Sequence, residues 1–216
     1  MKSTDNYDLF NPVPDYASNP LVQKGTQNDC AQTTIPGLIY LDNFIDSAKE
    51  QELIREINLQ PWLTDIKRRV QHYGWRYDYK ARGIDYSMFL GKLPLWAEEI
   101  AKKLVAYNLI KDEPDQVIVN EYLPGQGIAG HVDCAPCFGD TIVSLSLASN
   151  CTMDFINLKT KEKIENVLKQ RSVAAISGEA RYDWTHGIAA RLADQIDGKR
   201  INRELRISLT FRKVML

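Results

Sequence analysis

The spacing of apolar residues changes about halfway along the chain, from a helical period to a strand period. Ser47-Ala48-Lys49-Glu50 has the spacing of a capping box, and Leu53, Ile54 and Ile57 follow at helical intervals. An amphipathic helix is predicted over about 46–59, stopping before Pro61. A second is predicted from Pro94, with Trp96, Ile100, Leu104 and Tyr107 as one stripe and Asn108 at its end. From residue 116 the pattern becomes short strands broken by turn residues. Gln116–Leu123 reads as a strand, and Pro124-Gly125-Gln126-Gly127 as a turn. Thr141–Leu147 alternates: Ile142, Ser144 and Ser146 share one face, Val143, Leu145 and Leu147 the other. Met153–Leu158, Ser172–Ile176 and Leu205–Val214 complete the set. Helices followed by many short strands predict an α+β chain whose β part is a sandwich or jelly roll.

Composition narrows the picture. The 216 residues suit one sizeable core, and 44% hydrophobic with 25% charged residues is the balance of a soluble globular domain. Residues 1–34 are polar, Pro- and Asn-rich and without periodicity, which predicts an N-terminal arm ahead of a single domain at 35–216. Lys+Arg at 27 against Asp+Glu at 28 leaves a net charge of −1, so affinity for nucleic acid would need a local basic patch. The opening residues contain no apolar stretch resembling a secretory signal, and no run is long enough to span a bilayer. Four cysteines are too few for a disulfide scaffold in this length, so a reducing cytoplasm is the expectation; the chain is also expected to be a monomer.

The chemistry-bearing residues lie in the strand half. His131-Val132-Asp133 puts two metal-capable side chains at i and i+2, on one face of an extended backbone. His186, in Trp184-Thr185-His186-Gly187, is the natural third ligand. Two histidines and a carboxylate on one face of an octahedron leave positions open for a cosubstrate and O₂, which suits non-haem Fe(II). In Arg206–Arg212 the residues Arg206, Ser208, Thr210 and Arg212 share one face and Ile207, Leu209 and Phe211 the other. That pattern reads either as a solvated outer strand or as a barrel-interior face that receives a dicarboxylate through guanidinium forks. Asn120 and Tyr122 repeat the i, i+2 spacing upstream.

Taken together, Asn120-Glu121-Tyr122-Leu123-Pro124-Gly125, His131-Val132-Asp133, Ser144-Leu145-Ser146-Leu147, Trp184-Thr185-His186-Gly187-Ile188 and Arg206-Ile207-Ser208-Leu209-Thr210-Phe211-Arg212 resemble the AlkB family of Fe(II)- and 2-oxoglutarate-dependent nucleic-acid dioxygenases. Order and spacing agree from about residue 62 to the C-terminus, and the similarity is greatest to the subgroup containing the catalytic domain of tRNA wobble-uridine hydroxylases. The resemblance implies a double-stranded β-helix with N-terminal helices on the outer face of one sheet. It implies Fe(II) on His131, Asp133 and His186, and 2-oxoglutarate among Asn120, Tyr122, Arg206, Ser208 and Arg212, with O₂ as the second cosubstrate. The implied reaction couples decarboxylation of 2-oxoglutarate to hydroxylation of a substrate C–H bond, and an N-alkyl base so hydroxylated loses its alkyl group. Oxidative dealkylation of DNA or RNA bases is the first reading; hydroxylation of a modified wobble uridine in tRNA is the second. A metal-free nucleic-acid-binding module is the non-enzymatic alternative, against which the intact ligand set argues.

Residues 67–82 carry six cations (Lys67, Arg68, Arg69, Arg76, Lys80, Arg82) and one acid, Asp78, with Tyr73, Trp75, Tyr77 and Tyr79 at period 2. These rings are either a core-packing strand face or a lid that stacks on an extruded base beside phosphate-binding cations. Arg69, Tyr73 and Tyr77 are the candidate substrate residues, with Arg181 beside the last ligand as a fourth. Repair members that act on adenine and cytosine often carry an acid two positions after the metal aspartate; Ala135 stands there. Cys134-Ala135-Pro136-Cys137 reads as packing thiols or, with Cys151, as an incomplete zinc site.

Overall fold

The computed structural model describes residues 35–64 and 66–216. The expected N-terminal arm lies outside the described residues. Among the described residues, three α-helices and a hairpin accompany two larger antiparallel sheets. The elements are β1 (Leu38–Leu41), α1 (Ser47–Asn58), β2 (Arg69–Tyr73), α2 (Leu95–Ala106), β3 (Gln116–Tyr122), β4 (Ile128–His131), β5 (Ile142–Leu147) and β6 (Cys151–Asn157). Then come β7 (Lys163–Leu168), β8 (Val173–Ile176), α3 (Gly178–Tyr182), β9 (Trp184–Ile188), β10 (Ala193–Ile196), β11 (Lys199–Asn202) and β12 (Arg206–Arg212).

The first helix begins one residue earlier than its capping-box reading. Asp46, not Ser47, is the N-cap and accepts from the Lys49 amide at 2.8 Å. Glu50 is thereby freed from a capping role. It is buried and accepts from the Ala148 amide at 2.9 Å and from Gln170 and Arg171 at 2.9 and 3.2 Å. This ties α1 to the sheet beneath it. On α2, Trp96, Ile100 and Leu104 are buried as their stripe predicts. Tyr107 is the C-cap, half-exposed, with its ring 5.3 Å from Phe44, and Asn108 at φ 55° takes the left-handed turn that ends the helix.

The larger sheet has the order β1-β8-β5-β12-β3-β2 and the smaller β4-β9-β6-β7. They face each other as a double-stranded β-helix. Register assigns the alternating residues to layers. Leu209 is opposite Val119 on β3 and Leu145 on β5, and these pack with Phe211, Val143 and Val117 under Leu53 and Ile57 of α1 and Ile100 and Leu104 of α2. Burial of this outer face is the main apolar core. Ser208 is opposite Asn120 and Ser146, so the polar residues of the same strands turn toward the space between the sheets. Phe155, Leu168, Trp184 and Ile176 belong to a second apolar cluster.

Candidate active site

The three candidate ligands come together where the smaller sheet meets the open end of the barrel. His131 on β4 and His186 on β9 are direct register partners, with ring centroids 4.6 Å apart. Gly187 makes that close pairing possible, because a Cβ there would lie 2.8 Å from the Gly130 nitrogen. Asp133 follows β4, and ligand atoms of all three residues lie within 4.8 Å of one another. His131 Nδ1 donates to the Ala129 carbonyl at 2.9 Å, which leaves Nε2 as the free lone pair. Arg212 donates twice to Asp133 Oδ1, at 2.7 and 3.1 Å, while Oδ2 has no hydrogen-bond partner among the described residues and faces His186 Nε2 at 3.3 Å. An orphaned, buried carboxylate oxygen between two imidazoles is the donor set of a divalent metal with open positions.

The electrostatics suit a metal as well. Burial works against the Asp133 carboxylate, but the Arg212 guanidinium and the neighbouring His186 and His131 hold its pKa well below the usual range. Burial, with His186 beside it, lowers the pKa of His131. Both shifts favour the deprotonated forms that ligate metal.

Next to the triad, a cavity of about 540 Å³ opens onto the inner faces of β3, β5 and β12. Asn120, Tyr122, Arg206, Ser208 and Arg212 all line it. Arg206 is 2% exposed and donates from Nη2 to Ser146 Oγ at 2.7 Å, but its Nε and Nη1 have no partner among the described residues. A buried guanidinium with two open donors is costly unless an anion completes it. Of the two readings of β12, the solvated outer strand is ruled out, because its polar face is buried and lines the cavity.

The aromatic, basic segment divides. The expected period-2 strand ends at Tyr73, because Gly74 adopts φ 76° and a Cβ there would lie 1.8 Å from the Asp115 carbonyl oxygen. Tyr77 lines the cavity together with Tyr79, Phe138, Lys67, Arg68 and Arg82. Two of the candidate substrate residues point elsewhere. β2 pairs with β3 so that Arg69 is opposite Glu121 and Tyr73 opposite Val117, on the helix side of the sheet. Arg69 grips the buried Glu121 carboxylate at 2.6 and 2.7 Å and covers the Trp62 ring. Tyr73 packs edge-on against Trp96, and burial pushes its hydroxyl up to about 12. Neither residue lines the cavity. Arg76 borders a separate hollow with Tyr73 and Leu90.

Arg181, the fourth candidate, is 1% exposed and donates to the backbone carbonyls of Asp133 and Cys134 at 2.9 and 3.4 Å. It braces the ligand loop from behind and does not line the cavity. Cys134 and Cys137 are neither packing thiols nor zinc ligands: they form a disulfide, with Cα atoms 5.3 Å apart. Tyr79 and Arg82, part of the basic, aromatic run but not singled out as substrate residues, do line the cavity. Asp78 Oδ1 accepts from the Lys80 and Ala81 amides, and this turn presents them.

Comparison with known proteins agrees with this geometry. The family model of the 2OG-Fe(II) oxygenase superfamily matches residues 37–212. An uncharacterised protein of Acanthamoeba polyphaga mimivirus, L905, is 36% identical over 83% of this chain and 85% of its own length. An Arabidopsis thaliana protein named as an alkylated DNA repair protein, ALKBH8 homolog, is 34% identical over 87% of this chain. The Xenopus tropicalis tRNA (carboxymethyluridine(34)-5-O)-methyltransferase alkbh8 is 35% identical over 96% of it. The matches span 63% of the plant protein and 36% of the frog protein. The solved structure of OsALKBH1 superposes with a TM-score of 0.65 at 18% identity, covering 84% of this chain and 99% of that one, which shows the shared fold. With sequence, fold and metal-capable triad in accord, the chain belongs to the 2OG-Fe(II) oxygenase superfamily as an ALKBH8-like member of its AlkB family.

Proposed function

We propose that this Fe(II)- and 2-oxoglutarate-dependent dioxygenase acts on nucleic-acid bases and removes alkyl groups from them by oxidation. The observation that carries the substrate class is the composition of the cavity wall: Tyr77, Tyr79 and Phe138 with Lys67, Arg68 and Arg82, beside the triad. Planar rings stack on an unpaired base, and cations around them hold the phosphates that flank it. Since the chain's net charge is −1, this local cluster must supply the attraction.

His131, Asp133 and His186 would hold Fe(II), which with 2-oxoglutarate and O₂ supplies C–H oxidation, yielding succinate and CO₂. The chain's own residues bind and orient. Arg206, Ser208 and Tyr122 take the distal carboxylate of 2-oxoglutarate, and the two open donors of Arg206 match its geometry. Asn120 and Arg212 stand toward the metal end, Arg212 also fixing the ligand Asp133 through Oδ1. Tyr77 and Phe138, with centroids 5.7 Å apart, form the wall against which a base would lie.

The second reading is hydroxylation of a modified uridine in tRNA. It is favoured by the similarity to the frog tRNA methyltransferase and by Ala135, which offers no acceptor to an exocyclic amine. Incubating the Fe(II)-loaded protein with 2-oxoglutarate and either methylated oligonucleotides or tRNA, followed by nucleoside mass spectrometry, separates the two. Loss of the methyl group with formaldehyde release supports dealkylation. An added oxygen on a wobble uridine supports the second reading. Succinate formation with neither product would remove nucleic acid as the substrate.

A further inference from the structure

Arg68 and Arg69 are consecutive cations with opposite placements. Arg69 faces outward to Glu121, whereas Arg68 turns into the cavity at the edge of β2. There Arg68 Nε donates to Asn120 Oδ1 at 2.8 Å, and its guanidinium carbon lies 5.6 Å from the centroid of the Tyr122 ring. The guanidinium carbon of Arg206 lies at the same 5.6 Å from that ring. Asn120 and Tyr122 are thus touched by a cation from the cavity edge as well as by the residues of the barrel floor.

The chemistry of this contact is asymmetric. A guanidinium has five donors and no acceptor, so the Asn120 atom that meets it must be the carbonyl oxygen. The amide nitrogen of Asn120 is then turned away from Arg68. No described residue accepts from it, although Asn120 is 6% exposed and lines the cavity opposite Ser208. A free asparagine side chain presents either end with similar ease. A donor-only neighbour such as a guanidinium locks the orientation that turns Oδ1 toward it.

We propose that Arg68 is a positioning residue for the cosubstrate. By holding Oδ1 of Asn120 it presents the Asn120 amide nitrogen as a fixed donor to an oxygen of 2-oxoglutarate. The inference rests on the reading above that Asn120 contacts 2-oxoglutarate. It adds that the basic segment at the cavity edge is tied to the cosubstrate floor through one side chain. A cation there would otherwise be only a phosphate anchor.

The test is calorimetric binding of 2-oxoglutarate to the full chain loaded with Mn(II) without oxygen. It uses Asn120→Ala, Arg68→Ala, Arg68→Gln, Arg68→Lys and the double alanine variant. Asn120→Ala is expected to weaken 2-oxoglutarate about tenfold, the loss of one hydrogen bond to a charged group. Arg68→Ala should lose a similar factor, and the double variant no more than Asn120→Ala alone, because both changes remove one interaction. Arg68→Lys, still a pure donor, should recover most of the affinity. Arg68→Gln, which can face Asn120 with either end, should not. In turnover, Arg68→Ala should raise KM for 2-oxoglutarate with little change in kcat. Wild-type affinity in Arg68→Ala and Arg68→Gln, or losses that add in the double variant, would overturn the proposal while leaving the role of Asn120 intact. Unchanged affinity in Asn120→Ala would instead overturn the assignment of Asn120 to the cosubstrate, and the proposal with it.

Discussion

The two faces of β12 share one backbone and are both largely buried, yet they differ in whether they are complete. Ile207, Leu209 and Phe211 are sealed under the two helices by β3 and β5, and nothing in that layer asks for another partner. Arg206, Ser208 and Arg212 are buried too, with Thr210 between them partly exposed. On their side, Arg206 Nε and Nη1 and Asp133 Oδ2 have no hydrogen-bond partner among the described residues. Burial alone therefore does not separate core from site. On this strand the discriminating property is the open hydrogen-bonding capacity of the buried groups.

Substitutions on the two faces should break this contrast in different currencies. His186→Ala should abolish succinate formation, because it removes one of three ligands; a circular dichroism melt should show the fold retained, and iron-dependent turnover in this variant would refute the ligand assignment. On the outer face, Leu209→Ala, fully buried, should lower unfolding free energy by about 3–5 kcal/mol in a urea titration. It should leave 2-oxoglutarate affinity in the surviving folded protein near wild type. Arg206→Ala should do the reverse. Cosubstrate binding is expected to weaken by about 2–5 kcal/mol, with no loss in the urea midpoint, since two unsatisfied buried donors disappear.

The same contrast sharpens at β2, where sequence and structure part. Arg69→Ala should cost about 1–3 kcal/mol of stability by stranding the buried Glu121 carboxylate, while nucleic-acid affinity and its salt dependence stay unchanged. For Tyr73 the readout is alkaline unfolding. Its folded pKa is raised to about 12 by burial, so its contribution is intact below the ordinary value near 10 and is lost as pH climbs from there through 12. Tyr73→Phe should flatten the stability profile across that window and leave turnover untouched.

What could be read from sequence was local. The H-x-D spacing, the alternation of β12 and the helix stripes each depend on neighbours within a few residues, and backbone period fixes which side chains share a face. What could not be read was register. Whether Arg68 or Arg69 faces the cavity depends on how β2 pairs with β3, fifty residues further on in the chain, and a one-residue slip exchanges them. The tyrosine run was likewise split by a constraint from elsewhere, the Asp115 carbonyl against Gly74. Arg181 was legible as a cation near a ligand. Its burial behind the Asp133 loop follows only from the packing of α3.

The pairing of His131 with His186 has a mechanical consequence. β4 is four residues long and, among the described strands, lies at the edge of its sheet with β9 beside it. A short edge strand held along one side is the kind of element that frays first, on the timescale of local opening and not of global unfolding. A divalent ion bonded to both imidazoles would act as a rivet through the two strands at the very position where they are in register. It would raise the cost of peeling β4 away and couple the lifetime of the strand to the residence time of the metal.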